Sequence, residues 1–162
     1  MELTAAVLTV SDASAQGKRQ DLSGPAVRAA LEAKGFRVVA SEVVKDDQSA
    51  IEVTLMELCD KARLVVTTGG TGIAERDVTP EATRSVSDKI VEGIAERMRA
   101  EGAKKTPFAA LSRGVCAVRK HSLILNLPGN PAAATDSLAA VVDLLPHALE
   151  LLAGKTAHNS HK

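Results

Sequence analysis

The segment LVVTTGGTGIAERDVTPEAT, residues 64–83, decides the fold of this chain. Five apolar or β-branched residues, the signature of a buried strand, run directly into three glycines within four positions. Thr79-Pro80 then marks the start of a helix, because Thr is a good N-cap and Pro is favoured at the first helical position. The segment therefore predicts a strand, a glycine-rich loop and a helix in immediate succession.

Strands and helices alternate along the rest of the chain. We predict strands over residues 3–10, 36–44, 63–68, 115–119 and 122–127, and helices over 25–34, 48–61, 80–89, 91–104 and 131–153, the last bent at Pro146. The last two strands are only two residues apart, which requires a hairpin and makes one of them antiparallel. We therefore predict an α/β fold, a three-layer α/β/α arrangement with a mostly parallel sheet and one antiparallel strand. Residues 1–154 form a single domain, and 155–162 form a polar C-terminal tail.

Composition excludes several classes of function. The 162 residues carry 20 basic and 20 acidic side chains, so nothing attracts the chain generally to nucleic acid or to acidic membranes. Trp and Tyr are absent, which disfavours single-strand binding by stacking. Cys59 and Cys116 lie far apart and fit no C-x-x-C pattern, so we interpret them as buried small apolar residues in a reducing compartment in preference to a structural disulfide. With no signal peptide and no apolar run of membrane-span length, we expect a cytoplasmic protein without nucleic-acid or membrane partners.

Polar and glycine-rich segments follow the predicted parallel strands. These segments are Ser11-Asp12, Asp46-Asp47, Gly69-Gly70-Thr71-Gly72 and Pro128-Gly129-Asn130. Parallel strands bring their carboxyl ends to one edge of the sheet, where open α/β sheets bind ligands. We therefore expect all four segments to meet at one edge.

Two kinds of group at this edge suit a phosphate ligand and its metal ion. Glycine N–H groups, and the helix starts in DLSGP and LPGNP, can bind anions, although sharp turns and ordinary capping by Ser23, Gly24 or Asn130 explain the same residues. Asp77 and the Asp46-Asp47 pair supply carboxylates of the kind that Mg²⁺ binds together with phosphate. The alternative is solvated turn residues, with one Asp of the pair capping the next helix.

The remaining polar groups are less specific. Arg113 and the segment 119–121 form a modest basic cluster around the hairpin, either solvated or in contact with phosphate. The four histidines have no metal-ligand spacing, and no Ser-His-Asp arrangement supports nucleophilic catalysis.

Five motifs, in their order and spacing, resemble those of the molybdopterin adenylyltransferases. They are VSD, DLSGP, TTGGTGIAERDVTPEAT, TPFAALSR and LILNLPGNP. The resemblance spans roughly residues 5–152 and includes the bacterial Mog-type enzymes and the G domains of the plant molybdenum insertase and of gephyrin. It implies a homotrimer and a Mg²⁺-dependent transfer of AMP from ATP to the terminal phosphate of molybdopterin, with release of pyrophosphate. A transient contact with the molybdenum insertase is also implied.

The resemblance also implies roles for individual residues. Asp46 and Asp77 match the essential carboxylates, which we assign to catalysis and to the metal. The nucleotide site would consist of Ser11, Asp12, Gly69, Gly70, Thr71 and Gly72. The molybdopterin site would consist of Ser23, Gly24, Ser112, Pro128, Gly129 and Asn130. The family commonly has Pro where this chain has Lys45, which leaves the roles of Asp46 and Asp47 open.

Two other functions compete with the enzyme. One is a related MoaB-type protein that binds molybdopterin or nucleotide without efficient transfer. The other is a purely structural trimer subunit, against which the crowded strand ends argue. The RDVTPEA and LPGNP segments favour the enzyme.

Overall fold

Six strands form a single sheet in the computed structural model, which describes residues 1–155. The strands are Thr4–Val10 (β1), Arg37–Val44 (β2), Leu64–Thr68 (β3), Lys89–Ile90 (β4), Cys116–Arg119 (β5) and Ser122–Leu127 (β6). Their order is β2-β1-β3-β6-β5-β4. The first four in this order are parallel neighbours, and β5 runs antiparallel to both β6 and β4. The predicted α/β fold with one antiparallel strand is confirmed.

Helices cover both faces of the sheet. They are Asp12–Ala15 (α1), Ser23–Ala33 (α2), Gln48–Lys61 (α3), Thr79–Ser85 (α4), Glu92–Ala103 (α5), Pro131–Val141 (α6) and Leu145–Leu152 (α7). Short 3₁₀ turns lie at Pro107–Leu111 and Val142–Leu144. Buried residues of α2, α5, α6 and α7 pack with one face of the sheet, and those of α3 and α4 pack with the other. This arrangement gives the three predicted layers.

The central strands hold the sheet between these layers. Every residue of β3 and of β6 is buried. Strands covered on both faces read as continuous apolar runs, which is why LVVTT lacks the alternation of a half-exposed strand. The α3 stripe of Ile51, Leu55 and Leu58 is fully buried beneath the sheet. This two-sided core fixes the strand ends on which the site is built.

Two local differences from the sequence-based expectations have physical causes. Pro25 is the third residue of α2 and not the first, because the Asp21 carboxylate accepts a hydrogen bond from the Gly24 N–H at 3.0 Å and the helix starts at Ser23. The long C-terminal helix divides at Val142–Leu144, just before Pro146. A proline ring clashes with the carbonyl four residues earlier, here that of Val142, which kinks or breaks a helix, and here the helix breaks.

Two short elements, α1 and β4, were not predicted. In α1 the Ser11 side chain accepts a hydrogen bond from the Ser14 N–H at 3.2 Å. The two residues of β4 exist only through pairing with β5. Neither element is long enough to show a hydrophobic period.

Both cysteines within residues 1–155 are free, as expected. Burial raises the pKa of Cys59 to about 11 and that of Cys116 to about 12, so both thiols are protonated at neutral pH. Within the same range, no helix combines the length and the apolar character that crossing a membrane would require. The tail predicted over residues 155–162 lies, apart from Lys155, outside the described residues.

Candidate functional site

A polar cavity of about 330 Å³ lies at the carboxyl ends of the parallel strands. Residues that follow β1, β2, β3 and β6 all line it, as the strand-end argument predicts. The predicted site residues in its wall are Ser11, Asp12, Ser23, Asp46, Gly69, Gly70, Asp77, Gly129 and Asn130. The sheet therefore brings together groups that lie more than a hundred positions apart in the chain.

Asp46 and Asp12 join the ends of β2 and β1 through reciprocal hydrogen bonds. The Asp12 N–H donates to Asp46 Oδ2 at 3.0 Å, and the Asp46 N–H donates to Asp12 Oδ1 at 2.9 Å. Desolvation raises the pKa of Asp46, and the negative charges of Asp12 and Asp77 raise it further, against the opposing effects of the Asp12 N–H and of Arg76. The loops thus bring Asp12 and Asp77 near enough for their charges to act on the pKa of Asp46.

Asp47 has a different role from its neighbour. Its Oδ2 accepts a hydrogen bond from the Ala50 N–H at 2.9 Å, so Asp47 is the N-cap of α3. Asp46 lines the polar cavity and Asp47 does not. The structure therefore separates two residues whose roles the sequence left open.

The glycine loop passes too close to its neighbours for any side chain. A Cβ on Gly69 would lie 2.3 Å from the Val10 carbonyl oxygen, and one on Gly70 would lie 2.2 Å from Thr79 Oγ1. Both glycines also have positive φ, 91° and 67°. Thr79 Oγ1 donates to the Gly69 carbonyl at 3.0 Å instead of capping α4, whose N-cap residue is Val78. The close packing brings the Gly70 backbone to the Asp46 carboxylate.

Asp77 stands on the same loop, seven residues further along. Its Oδ2 accepts a hydrogen bond from the Ala74 N–H at 3.1 Å and lies 2.8 Å from where a Gly72 Cβ would be. Asp77 and Asp46 are near enough for the charge of one to act on the pKa of the other. The predicted meeting of both carboxylates with the glycines is confirmed.

Arg113 clamps this loop from a distant part of the chain. Its guanidinium donates to both carboxylate oxygens of Glu81, at 2.7 and 3.1 Å, and to the carbonyls of Gly72 and Asp77, at 2.7 and 2.8 Å. Arg113 holds the pKa of Glu81 below its usual value. Four of the five guanidinium N–H donors of Arg113 are used within the protein, so Arg113 is more than the solvated residue that the sequence suggested, and its contact with phosphate stays a prediction. The segment 119–121 lies at the opposite edge of the sheet, in the β5–β6 turn.

A second, mostly apolar cavity of about 380 Å³ adjoins the first. Four of the predicted site residues line it, namely Thr71, Gly72, Ser112 and Pro128. The GGTG segment thus divides the two cavities, with Gly69 and Gly70 on the polar side and Thr71 and Gly72 on the apolar side. The residues predicted to bind the nucleotide therefore do not all line the same cavity.

Three of the predicted molybdopterin residues serve the packing of the helix starts. The Ser23 hydroxyl forms a buried hydrogen bond of 2.8 Å with that of Thr68. Gly24 lines neither cavity, because it lies beneath Asp21, where a Cβ would be 2.4 Å from the carboxylate. Asn130 accepts a hydrogen bond from the Ala133 N–H at 3.1 Å and caps α6. Of the three, Ser23 and Asn130 remain exposed to the polar cavity.

Arg19 and Phe108 are among the residues that line the cavities without having been assigned to a site by sequence reasoning. Arg19 lies in the wall of the polar cavity, as Arg76 does. Phe108 lies at the apolar cavity with 75% of its surface exposed, although the only other aromatic residue, Phe36, is buried. The basic Lys18-Arg19 pair in the loop after β1, and an aromatic residue next to Pro107 in TPFAALSR, are the signals that could have indicated them.

Comparison with known proteins identifies the family. The model of a family described as a probable molybdopterin binding domain matches residues 6–147. The chain is 41% identical to the molybdopterin adenylyltransferase of Helicobacter pylori, over 91% of this chain and 86% of that protein. It is 44% identical to the molybdopterin adenylyltransferase of Haemophilus influenzae, over 85% and 72%. The solved structure of the molybdopterin biosynthesis enzyme MoaB from Thermus thermophilus has a TM-score of 0.89 and 50% identity, over 94% of this chain and 98% of that chain. This chain therefore belongs to the family of probable molybdopterin binding domains.

Proposed function

We propose that this protein is a molybdopterin adenylyltransferase of molybdenum cofactor biosynthesis, which transfers AMP from ATP to the terminal phosphate of molybdopterin. An oxygen of that phosphate forms a bond to the α-phosphorus of ATP, and the bond from this phosphorus to pyrophosphate breaks. Adenylyl-molybdopterin and pyrophosphate are the products. Relatives that cover most of this chain carry the name of this activity.

One observation carries the proposal: Asp46 and Asp77 meet the glycine loop in a polar cavity that adjoins an apolar one. ATP and the molybdopterin phosphate are polar and anionic and suit the first cavity. The pterin ring is flat and suits the second, where Ser112 and Pro128 lie. Thr71 and Gly72 separate the two cavities, where the two substrates would meet.

The carboxylates fit a Mg²⁺ ion. Within residues 1–155 no group of three or more His, Cys, Asp or Glu side chains is arranged to coordinate a metal by itself. Mg²⁺ does not require such a group, because it takes one or two carboxylates and completes its shell with water and phosphate oxygens. Asp46 and Asp77 would hold the ion, and it would supply charge neutralisation between the two anionic substrates. Desolvation is the main cause of the raised pKa of Asp46, and the negative charges of Asp12 and Asp77, which a bound cation would offset, raise it further.

The chain's own residues contribute position and positive charge. The attacking group is a phosphate oxygen that is already ionised at neutral pH, so no general base is needed. Arg19 and Arg76 line the polar cavity and would lower the repulsion between two anions there. The glycine loop is held in place by hydrogen bonds from the Gly69 N–H to the Leu127 carbonyl at 3.0 Å and from the Thr79 N–H to the Gly70 carbonyl at 3.1 Å, so its backbone need not rearrange.

The test is incubation with ATP, Mg²⁺ and molybdopterin, with chromatography of adenylylated product. We expect Asp46→Asn and Asp77→Asn to lose product at least about 10²-fold while remaining folded. Asp47→Asn is the matched control, because it makes the same charge change one residue away and an asparagine still caps α3. Full turnover by Asp77→Asn would remove this carboxylate from the mechanism.

A MoaB-type protein that binds molybdopterin or nucleotide without efficient transfer is the second candidate. It is supported by the 50% identity to the Thermus thermophilus protein named MoaB. Absence of product from the wild-type protein, together with measurable molybdopterin binding, would favour it. The homotrimer, the contact with the molybdenum insertase and the cytoplasmic location stay predictions; mass measurement in solution tests the first.

A further inference from the structure

We infer that Asp136 and Lys105 recognise the 2-amino-4-oxopyrimidine edge of the ligand in the apolar cavity. Such an edge presents two N–H donors, from the amino group and the ring nitrogen, followed by a carbonyl acceptor. Pterins and guanine share it. The inference rests on the proposed function in that it assigns the ring of molybdopterin to this cavity.

The apolar cavity has one carboxylate among the described residues that line it, and this is Asp136. Asp136 shares a face of α6 with Ala133 and Ser137, which also line the cavity, as residues three and four apart do on a helix. It lies six residues beyond the cap residue Asn130, which is about 9 Å further along the helix axis. Because Asn130 belongs to the polar cavity, Asp136 stands toward the end of the apolar cavity away from the phosphates.

The second group is already placed next to the first. Lys105 also lines the cavity, and its Nζ lies 2.9 Å from Asp136 Oδ2. Together they present two acceptor oxygens and one donor, which complements the order of donor, donor and acceptor on the ring edge. A carboxylate can accept two parallel N–H bonds from a planar amidine-like edge, a strong and directional arrangement.

A purely structural role for this ion pair would contribute little. Both side chains are well exposed, at 65% for Lys105 and 47% for Asp136. Ion pairs of this exposure contribute ~0–1 kcal/mol to folding stability. In the mostly apolar cavity, by contrast, a ring edge without partners would be buried at a cost. The pair therefore decides which ring binds and not whether the protein folds.

The test is steady-state adenylylation by the full chain with molybdopterin varied. We expect Asp136→Asn to raise KM for molybdopterin about 10- to 100-fold, since it removes hydrogen bonds to a charged acceptor, with KM for ATP and kcat at saturation unchanged. Asp136→Glu should restore part of the affinity. Asp143→Asn, which neutralises another carboxylate in the same C-terminal helical region with an 82% exposed side chain, is the control and should leave all parameters unchanged.

A direct binding measurement separates this inference from the proposed function. Calorimetry without ATP uses 6-hydroxymethylpterin, guanosine and adenosine as three separate ligands. Asp136-dependent binding of 6-hydroxymethylpterin supports the pterin as the source of the edge, and Asp136-dependent binding of guanosine alone points to a purine. Equal affinity of wild type and Asp136→Asn for every ligand, or binding of adenosine with the same dependence, overturns the inference even if adenylylation is normal. Absence of adenylylation with Asp136-dependent pterin binding would instead refute only the proposed activity.

Discussion

Replacing Gly70 with alanine tests whether a side chain is excluded from the glycine loop by the neighbouring atoms or only by the backbone angles. Gly70 has φ 67°, and a Cβ there would lie 2.2 Å from Thr79 Oγ1 and 3.3 Å from Asp46 Oδ1. Gly17 offers a matched control, because its φ is 72° and a Cβ there has nothing within 4 Å. The two glycines therefore share the backbone strain of an alanine and differ only in the space around it.

The magnitudes follow from these distances. An alanine in the left-handed region costs about 1–2 kcal/mol at either position. At Gly70 the buried Thr79 hydroxyl must also move, which loses its hydrogen bond to the Gly69 carbonyl, about 1 kcal/mol. Forcing a methyl group into a packed site adds about 1–3 kcal/mol. We expect Gly17→Ala to lower the free energy of unfolding by about 1–2 kcal/mol and Gly70→Ala by about 3–6 kcal/mol.

Urea unfolding of the two variants and the wild type measures this difference. The relevant quantity is the free energy of unfolding in water, with the slopes compared to ensure that the unfolded states are alike. Adenylylation should also fall in Gly70→Ala, since the methyl group displaces Asp46, and should persist in Gly17→Ala. If the two variants lost the same stability within about 0.5 kcal/mol, the close packing described for this loop would be incorrect.

Four further predictions concern charges and the exposed aromatic ring. Arg113→Lys should lower the free energy of unfolding, measured in urea, by about 2–4 kcal/mol, because lysine cannot reproduce the four guanidinium hydrogen bonds. An unchanged unfolding midpoint would show that these hydrogen bonds do not stabilise the fold. Because Arg113 lowers the pKa of Glu81, the pair stabilises the fold above the unfolded pKa, about 4.3, and this contribution is lost as pH falls through the folded pKa. Glu81→Gln should therefore flatten the acid side of the stability profile, and a profile like that of the wild type would argue against the pair. The raised pKa of Asp46 has the opposite effect on stability, because the stability that this residue contributes is lost as pH rises from its unfolded to its folded pKa. At pH 7 the Asp46→Asn protein should therefore melt at a temperature equal to or higher than that of the wild type. A clear decrease in melting temperature would contradict this. Phe108→Ala should change the free energy of unfolding by less than about 0.5 kcal/mol and weaken molybdopterin binding, measured by titration; equal affinity would show that the ring does not contact the ligand.

Elements with a strong short-range signal were predicted closely. The bounds of α3 and β6 match the predicted ranges, 48–61 and 122–127, because a buried stripe of period 3.6 or a run of apolar residues is visible in the sequence. The β5–β6 hairpin followed from a gap of only two residues. The meeting of Asp46, Asp77 and the glycines also followed, because parallel strands carry their ends to one edge whatever their order.

Features that depend on a distant partner could not be predicted. Asp46 and Asp47 are adjacent and of the same residue type, so the sequence does not distinguish them. Their roles differ because Asp46 is hydrogen-bonded to Asp12 at the cavity, whereas Asp47 caps the N-terminus of α3. In the sequence, Arg113 is only a basic residue in a polar loop. Its role becomes visible only in the structure, where it donates hydrogen bonds to Glu81 and to the Gly72 carbonyl. Sequence distance carries no information on such contacts.

The sequence by itself determined the layers of the fold, the edge of the sheet at which the site lies and the family to which the motifs belong, since these follow from local periodicity and from spacing along the chain. Only the tertiary structure divided that edge into a polar and an apolar cavity and placed Asp136 and Lys105 at the second. The reason is that cavities are spaces between elements: their walls combine residues from several helices and loops, and their chemistry is set by how those elements pack and not by any one segment.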